Sequence, residues 1–236
     1  MRLGLAVPAA LLRMALPPHC ALCADRTADG LLCAPCMNGL PAMPPCCPAC
    51  ALPGITGTAC ARCREDPPPF RRVFAAHAYG FPVDRLIGAL KYGGQLALAA
   101  PLGDMLAAAV ERHCRVRPEL LLPVPLAAAR QRSRGFNQAI EIARVVSRKL
   151  GVPMGRGLVR CVDTAPQAGR TAAQRRQALR GAFGVTMPFH HQRVALVDDV
   201  MTTGSTLAEA ARCLLAAGVG SVDAFVVARA LPPGEG

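Results

Sequence analysis

Along the second half of the chain, short continuous apolar runs alternate with stretches in which apolar residues recur every third or fourth position. Residues 194–197 (Val-Ala-Leu-Val) and 222–227 read as buried strands. Between them, 206–217 reads as an amphipathic helix with Leu207, Ala211, Leu214 and Leu215 on one side, ended by Gly218 and Gly220. Strand, helix and strand in this order form a βαβ unit. That unit implies a parallel sheet covered by helices, with ligands at the carboxyl ends of the strands. Upstream, 73–79 and 120–122 read as further strands, and 82–92, 96–113 and 136–150 as helices. Gly93-Gly94 stops the first helix. The third carries an apolar face (Phe136, Ile140, Ala143, Leu150) and a basic flank (Arg144, Arg148, Lys149). The expected fold class is therefore α/β with a parallel sheet.

The N-terminal part follows a different rule. Pro67-Pro68-Pro69 marks a linker, and before it the cysteines fall in four C-x-x-C pairs: Cys20/Cys23, Cys33/Cys36, Cys47/Cys50 and Cys60/Cys63. The second four repeat the spacing of the first four, an internal duplication. Paired knuckles of this kind hold one tetrahedral ion with four thiolates, so the pattern predicts two structural Zn2+ sites in a double zinc ribbon. Sequential pairing within each half and a cross-braced arrangement both satisfy the spacing. A secreted disulfide framework is the competing reading. Cys46 is one residue out of register, and Cys114, Cys161 and Cys213 read as small core residues. Residues 1–16 are apolar but broken by Arg2 and Arg13, which favours a short amphipathic helix over a signal peptide, with weak membrane contact as the alternative. No stretch is long enough to span a bilayer. The expected domains are an apolar helix over 1–18, the double ribbon over 19–66 and an α/β domain over 67–236.

The most informative segment runs from 194 to 206. A strand delivers two adjacent carboxylates, Asp198 and Asp199, into a loop of Thr202, Thr203, Gly204, Ser205 and Thr206 that opens a helix. Backbone N–H groups and the positive end of a helix dipole favour a phosphate there, the hydroxyls add donors, and Gly204 allows close approach. The paired acids suit vicinal hydroxyls. A phosphate and a diol at that separation describe a ribose 5-phosphate. The segment is neither a Walker A loop nor a dinucleotide fingerprint, since no lysine follows Gly204 and G-x-G-x-x-G is absent.

This segment resembles the phosphoribosyl pyrophosphate (PRPP) motif of type I phosphoribosyltransferases. The resemblance implies that fold for the α/β domain, Asp198 and Asp199 as the catalytic pair on the ribose hydroxyls, and residues 202–206 on the 5′-phosphate. Together with the ribbons and with Pro123-Val-Pro and Arg134-Gly-Phe-Asn-Gln, the chain resembles the ComF family of competence proteins from Cys20 to about Ala228. By the same analogy Arg134 and Gly135 are candidates for the pyrophosphate loop, and Mg2+ would arrive with PRPP. Residues 164–183 resemble the family's stretch ending Gly-Ala-Phe, in which Gln167, Arg175 and Arg176 would belong to a lid; a plain surface helix is the alternative. His190-His191 reads as a loop pair.

Composition changes the picture in one respect. The 236-residue chain carries 27 Lys+Arg against 15 Asp+Glu, a net charge of +12, which suits polyanionic partners. Two functional classes follow. One is a cytoplasmic phosphoribosyltransferase (a pentosyl glycosyltransferase) of the DNA-uptake machinery, with peripheral contact at the inner membrane as a variant. The other is a single-stranded nucleic-acid-binding competence factor with a non-catalytic PRPP site, using the ribbons and the surface from Arg130 to Lys149. Aromatics for base stacking are scarce, at 4%, and Trp is absent. The acceptor nucleophile and the oligomeric state have no readable code in the chain.

Overall fold

A computed structural model describes residues 18–28, 30–54, 57–162, 179–190 and 193–232. The expectations for 1–16, for His191 and for Gln167, Arg175 and Arg176 lie outside them. The chain forms two compact units, Met1–Leu40 and Pro41–Gly236. The first holds a short helix, α1 (Ala34–Asn38), beside the first four-cysteine cluster. The second begins with the other four-cysteine cluster and α2 (Ala61–Glu65), then continues into the α/β body.

That body is β1 (Val73–Ala78), α3 (Val83–Gly93), a 3-10 turn (Leu96–Leu98), α4 (Ala99–His113), β2 (Leu120–Pro123), α5 (Ala128–Arg134), α6 (Gln138–Leu150), β3 (Leu158–Arg160), β4 (Phe183–Val185), β5 (Arg193–Met201), α7 (Ser205–Ala216) and β6 (Ser221–Arg229). The main sheet is parallel throughout, in the order β1-β6-β5-β2. The expected α/β class with a parallel sheet is therefore the one observed. β3 and β4 form a separate antiparallel pair.

Strand alternation sends residues to two faces, and both are apolar because helices cover both. Val73, Leu122, Leu196, Ala224 and Val226 share one core with Leu207, Ala211 and Leu214 of α7. On the other face α4 and α6 pack against each other and against the sheet. Phe74 and Phe225, paired in register, meet edge-to-face with centroids 5.4 Å apart. Gly103 makes the α4–α6 approach possible: a Cβ there would sit 2.5 Å from Val145 Cβ.

Several boundaries differ from the sequence reading, each for a local reason. β5 does not stop at Val197 but carries both aspartates and ends at Met201, because β6 runs on to Arg229 and pairs with it through Asp198↔Val226 and Met201↔Arg229. The arginine-rich stretch after Pro125 is a helix, α5, closed by Gly135 at φ 79°. In α6 the buried face is Ala139, Ile142, Ala143, Val145, Val146 and Leu150; Phe136 and Ile140 are only partly covered, since the helix starts at Gln138 behind an Asn137 cap. Cys161 is exposed, and Cys114 and Cys213 are half-buried, so none is the core residue expected. Cys114 and Cys161 directly follow the ends of their elements, whereas Cys213, within α7, packs half-buried against the main core. Among the described residues no helix is long and apolar enough to cross a membrane.

Candidate functional site

The carboxyl end of β5 carries the acids. Asp199 is 3% exposed and Asp198 keeps some solvent contact. Each carboxylate accepts from the next backbone N–H: Asp198 Oδ1 from Asp199 at 2.9 Å, and Asp199 Oδ1 from Val200 at 2.8 Å. Burial first, and the Asp199 charge second, push the Asp198 carboxyl well above the usual range, against the pull of Lys91. Lys91, from the last turn of α3, brings its ammonium within 2.6 Å of Asp199 Oδ2. That buried oxygen accepts no well-aligned hydrogen bond, so the contact is an ion pair. Burial opposes the ammonium, but Asp199 and then Asp198 outweigh it, and the Lys91 pKa rises.

After Met201 the chain turns at once into α7. Gly204 occupies the left-handed region at φ 78°, and its missing Cβ would lie 2.6 Å from Met201 Cε. Gly204, at the N-cap, has no side chain to cap α7, and only Ser205 N–H finds a side-chain acceptor, Thr203 Oγ1 at 3.4 Å, so the N–H groups of Thr206 and Leu207 are open to another acceptor. Thr203 Oγ1 and Ser205 Oγ share a hydrogen bond of 2.9 Å. Thr202 is exposed and Thr206 partly so.

The loop is held from one side by Arg229, 3% exposed at the end of β6. Its guanidinium donates to the carbonyls of Met201 (2.9 Å), Thr202, Ala230 (2.7 Å) and Cys50 (2.8 Å). In a trans peptide the N–H opposes the C=O. Tying down the Met201 and Thr202 carbonyls therefore turns the N–H groups of Thr202 and Thr203 away from Arg229. The sequence reading missed both Arg229 and Lys91. The available signals were an arginine closing an otherwise apolar strand, and one of only two lysines in an arginine-rich chain.

Arg134 ends α5, bonds Gln138 Oε1 and stacks over the Tyr92 ring at 5.3 Å. Tyr92 is the neighbour of Lys91, so α5 is linked to the acidic pair through α3. Asn137 caps α6 at Ala139 N (2.9 Å) and also donates to Val124 O (3.0 Å), which fixes the segment that follows β2. A cleft lined by Arg62, Cys63, Phe70, Gly204 and Ser205 adjoins the loop but includes neither aspartate.

The cysteines gather as Cys20, Cys23, Cys33 and Cys36, and as Cys47, Cys50, Cys60 and Cys63, with the sulfurs of each set within 4.8 Å of one another. Pairing is thus sequential within each half. Cys23–Cys33 and Cys50–Cys60 sulfurs are 3.7 and 3.8 Å apart, against about 3.8 Å for a tetrahedron with Zn–S of about 2.3 Å. Burial opposes ionisation of Cys20, but the N–H groups of Cys33, Cys23 and Leu22 bring it down to about 6. Cys47, at the repeat-equivalent position, is brought to about 7 by Cys60, Cys50 and Ala49 against the same opposition. Both four-thiolate sets fit structural zinc.

Competence protein F of Haemophilus influenzae is 37% identical over 175 residues, 71% of this chain and 76% of its own. DNA utilization protein YhgH of Shigella flexneri is 32% identical over 218 residues, 90% of each chain. The chain belongs to the ComF family. A family profile described as a double zinc ribbon domain matches residues 11–64, and the ComF relative from Bacillus subtilis, competence protein ComFC, is 33% identical over 47% of the chain. Solved structures similar to this ComF chain include glutamine PRPP amidotransferase from B. subtilis, at 22% identity and TM-score 0.37. That match covers 54% of this chain and 25% of the amidotransferase. Another is adenine phosphoribosyltransferase from Leishmania tarentolae, at 18% identity and TM-score 0.32, covering 60% and 59%.

Proposed function

We propose that this ComF protein binds PRPP, or a related ribose 5-phosphate, at the end of β5 and acts in DNA uptake. The observation that carries the reading is the juxtaposition of a buried and a half-buried carboxylate with a helix start whose N-cap is a glycine, separated only by a hydroxyl-rich turn at that left-handed residue. Asp198 and Asp199 accept from the ribose 2′- and 3′-hydroxyls. Thr202, Thr203, Ser205 and Thr206, with the N–H groups that Arg229 turns outward, hold the 5′-phosphate over Gly204. Arg134 and Gly135, at the end of α5, are the candidates for holding the pyrophosphate.

Magnesium fits this site as a companion of the ligand, because Lys91 already neutralises Asp199 and leaves the protein a poor cage for a divalent ion. Bound that way, it would draw charge from the departing pyrophosphate. The residues themselves position the ribose and exclude water, which is where most of the acceleration in such a transfer lies. The names of the relatives, competence protein F and DNA utilization protein, support the pathway.

Calorimetry with PRPP and Mg2+ tests the reading. Micromolar binding by the zinc-loaded protein, lost in Asp198→Asn/Asp199→Asn, supports it; a folded wild type that does not bind overturns it. A second reading has an observation of its own: Arg134 stacked on Tyr92, which is 83% exposed, offers a cationic aromatic surface for an unpaired base. Salt-dependent binding of single-stranded DNA, lost in Tyr92→Ala without loss of PRPP affinity, would favour that role.

A further inference from the structure

We infer that Lys91 is a positioning residue of the ligand site, the internal counter-ion that makes an acidic pair with one buried member compatible with a polyanionic ligand. The inference rests on the ribose-phosphate reading above.

The difficulty it resolves is electrostatic. Two adjacent carboxylates, one fully buried, lie beside a loop suited to a phosphate. Without compensation, their field at short range in a low-dielectric setting would repel an anionic sugar phosphate. The ammonium at 2.6 Å from Asp199 Oδ2 supplies that compensation from outside the strand.

Three features separate this contact from an ordinary surface pair. Lys91 is only 19% exposed, whereas the chain's other lysine, Lys149, meets Asp104 at 59% exposure. Asp199 Oδ1 accepts from Val200 N–H, and the buried Oδ2 has the Lys91 ammonium as its charge partner. And the chain places lysine here although nearly all its other basic residues are arginine. An ammonium is a compact point charge, whereas a guanidinium is a wide planar fork. The compact group reaches the buried Asp199 Oδ2 in a space that a planar fork would have to widen.

The element that brings Lys91 in is α3, which ends two residues later at Gly93 and is closed by Gly94 in the left-handed region. Lys91 thereby also fixes the end of α3 over the carboxyl edge of the sheet. It acts on the ligand through Asp199 and is not assigned a contact with the reacting atoms.

The test is a double-mutant cycle on the full-length, zinc-loaded protein, with PRPP and ribose 5-phosphate titrated by calorimetry. Lys91→Gln in the wild type is expected to weaken PRPP binding at least tenfold, and ribose 5-phosphate by less, because the second ligand carries less charge. In the Asp199→Asn background the same substitution should cost less than about twofold, since its partner charge is already gone. Lys91→Arg should lie between wild type and Lys91→Gln. A ligand-independent readout comes from infrared difference spectra: Lys91→Gln should change the carboxylate bands, and Asp199→Asn should abolish that change.

Equal losses in both backgrounds would mean that Lys91 meets the ligand directly, and would overturn the positioning role. So would unchanged PRPP affinity in Lys91→Gln. If the wild type binds neither ligand, the parent reading fails and this one with it; a wild type that binds both while Lys91→Gln is silent sinks this inference alone. Should Lys91→Gln not fold, the comparison of Lys91→Arg with wild type, with and without Asp199→Asn, decides the same question.

Discussion

At the scale of single residues, the site stores unfavourable electrostatics. Asp198 has a folded-state pKa raised by burial and by Asp199. Such a carboxyl binds its proton more tightly when folded. Its contribution therefore favours the folded state at low pH and is lost as pH rises from about 4 through the folded value. Asp198→Asn should accordingly melt higher than wild type near pH 8, by about 2–4 °C if about 1 kcal/mol is relieved, and the gap should shrink towards about pH 5. Melting curves at both pH values check this, and a gap that widens on acidification would contradict it. Arg229 has the opposite character. Its pKa is lowered by burial, yet four carbonyls pair with it. Arg229→Met deprives the Thr202, Ala230 and Cys50 carbonyls of their guanidinium donor, while Met201 O keeps the Ala230 N–H, and should cost about 2–4 kcal/mol in urea unfolding. It should also weaken PRPP binding, because the loop loses the contact that orients its N–H groups.

At the scale of elements, β5, the turn and α7 act as one device. The strand fixes the acids through its parallel register with β6, and only three residues separate Met201, where the strand ends, from Ser205, where the helix begins. Gly204→Ala puts a Cβ at a left-handed φ and 2.6 Å from Met201 Cε. The methionine end can move, so stability should fall by only about 1–2 kcal/mol, while phosphate affinity falls more because the N–H groups rotate. Comparison of urea midpoints with PRPP titrations separates the two effects. Between α4 and α6 the tolerance is smaller. Gly103→Ala meets Val145 Cβ at 2.5 Å and Ile142 O at 3.2 Å, on backbone and branched carbon that cannot swing aside. It should destabilise by about 1–3 kcal/mol, again read from denaturant midpoints, with no direct effect on ligand affinity.

At the scale of the whole molecule, the two cysteine clusters are alike in spacing and unlike in setting. The second belongs to the larger unit, Pro41–Gly236. There Ala51, beside Cys50, packs in the same core as Phe70 and Val73, and the Cys50 carbonyl bonds Arg229. Cys50→Ser/Cys63→Ser should therefore halve the zinc content and lower the melting temperature of the α/β body, and should weaken PRPP binding through Arg229. Metal analysis with differential scanning calorimetry tests this; an unchanged main transition would show that the second site stabilises only its own knuckles.

The division between sequence and tertiary structure follows the range of the interactions. Asp198, Asp199 and residues 202–206 lie within a few positions of one another, and a strand followed by a helix with a glycine N-cap is a local pattern, so the segment was legible in the chain. The cysteine duplication was legible for the same reason, because ligand spacing within a knuckle is local; sequential pairing needed three-dimensional proximity. The extent of β5 was not legible. It is set by hydrogen bonds to β6, whose length is known only once the strands lie side by side. The helix Ala128–Arg134 was hidden because its residues carry no buried face, leaving no periodicity to read. Lys91 and Arg229 were hidden most completely. Each acts on a group far away in sequence, Asp199 and Cys50 respectively, and no local pattern encodes a partner that only folding delivers. The sequence by itself determined which chemical groups the site contains. The tertiary structure decided which charges compensate them and which way the loop faces, because burial and charge pairing are properties of the packed molecule.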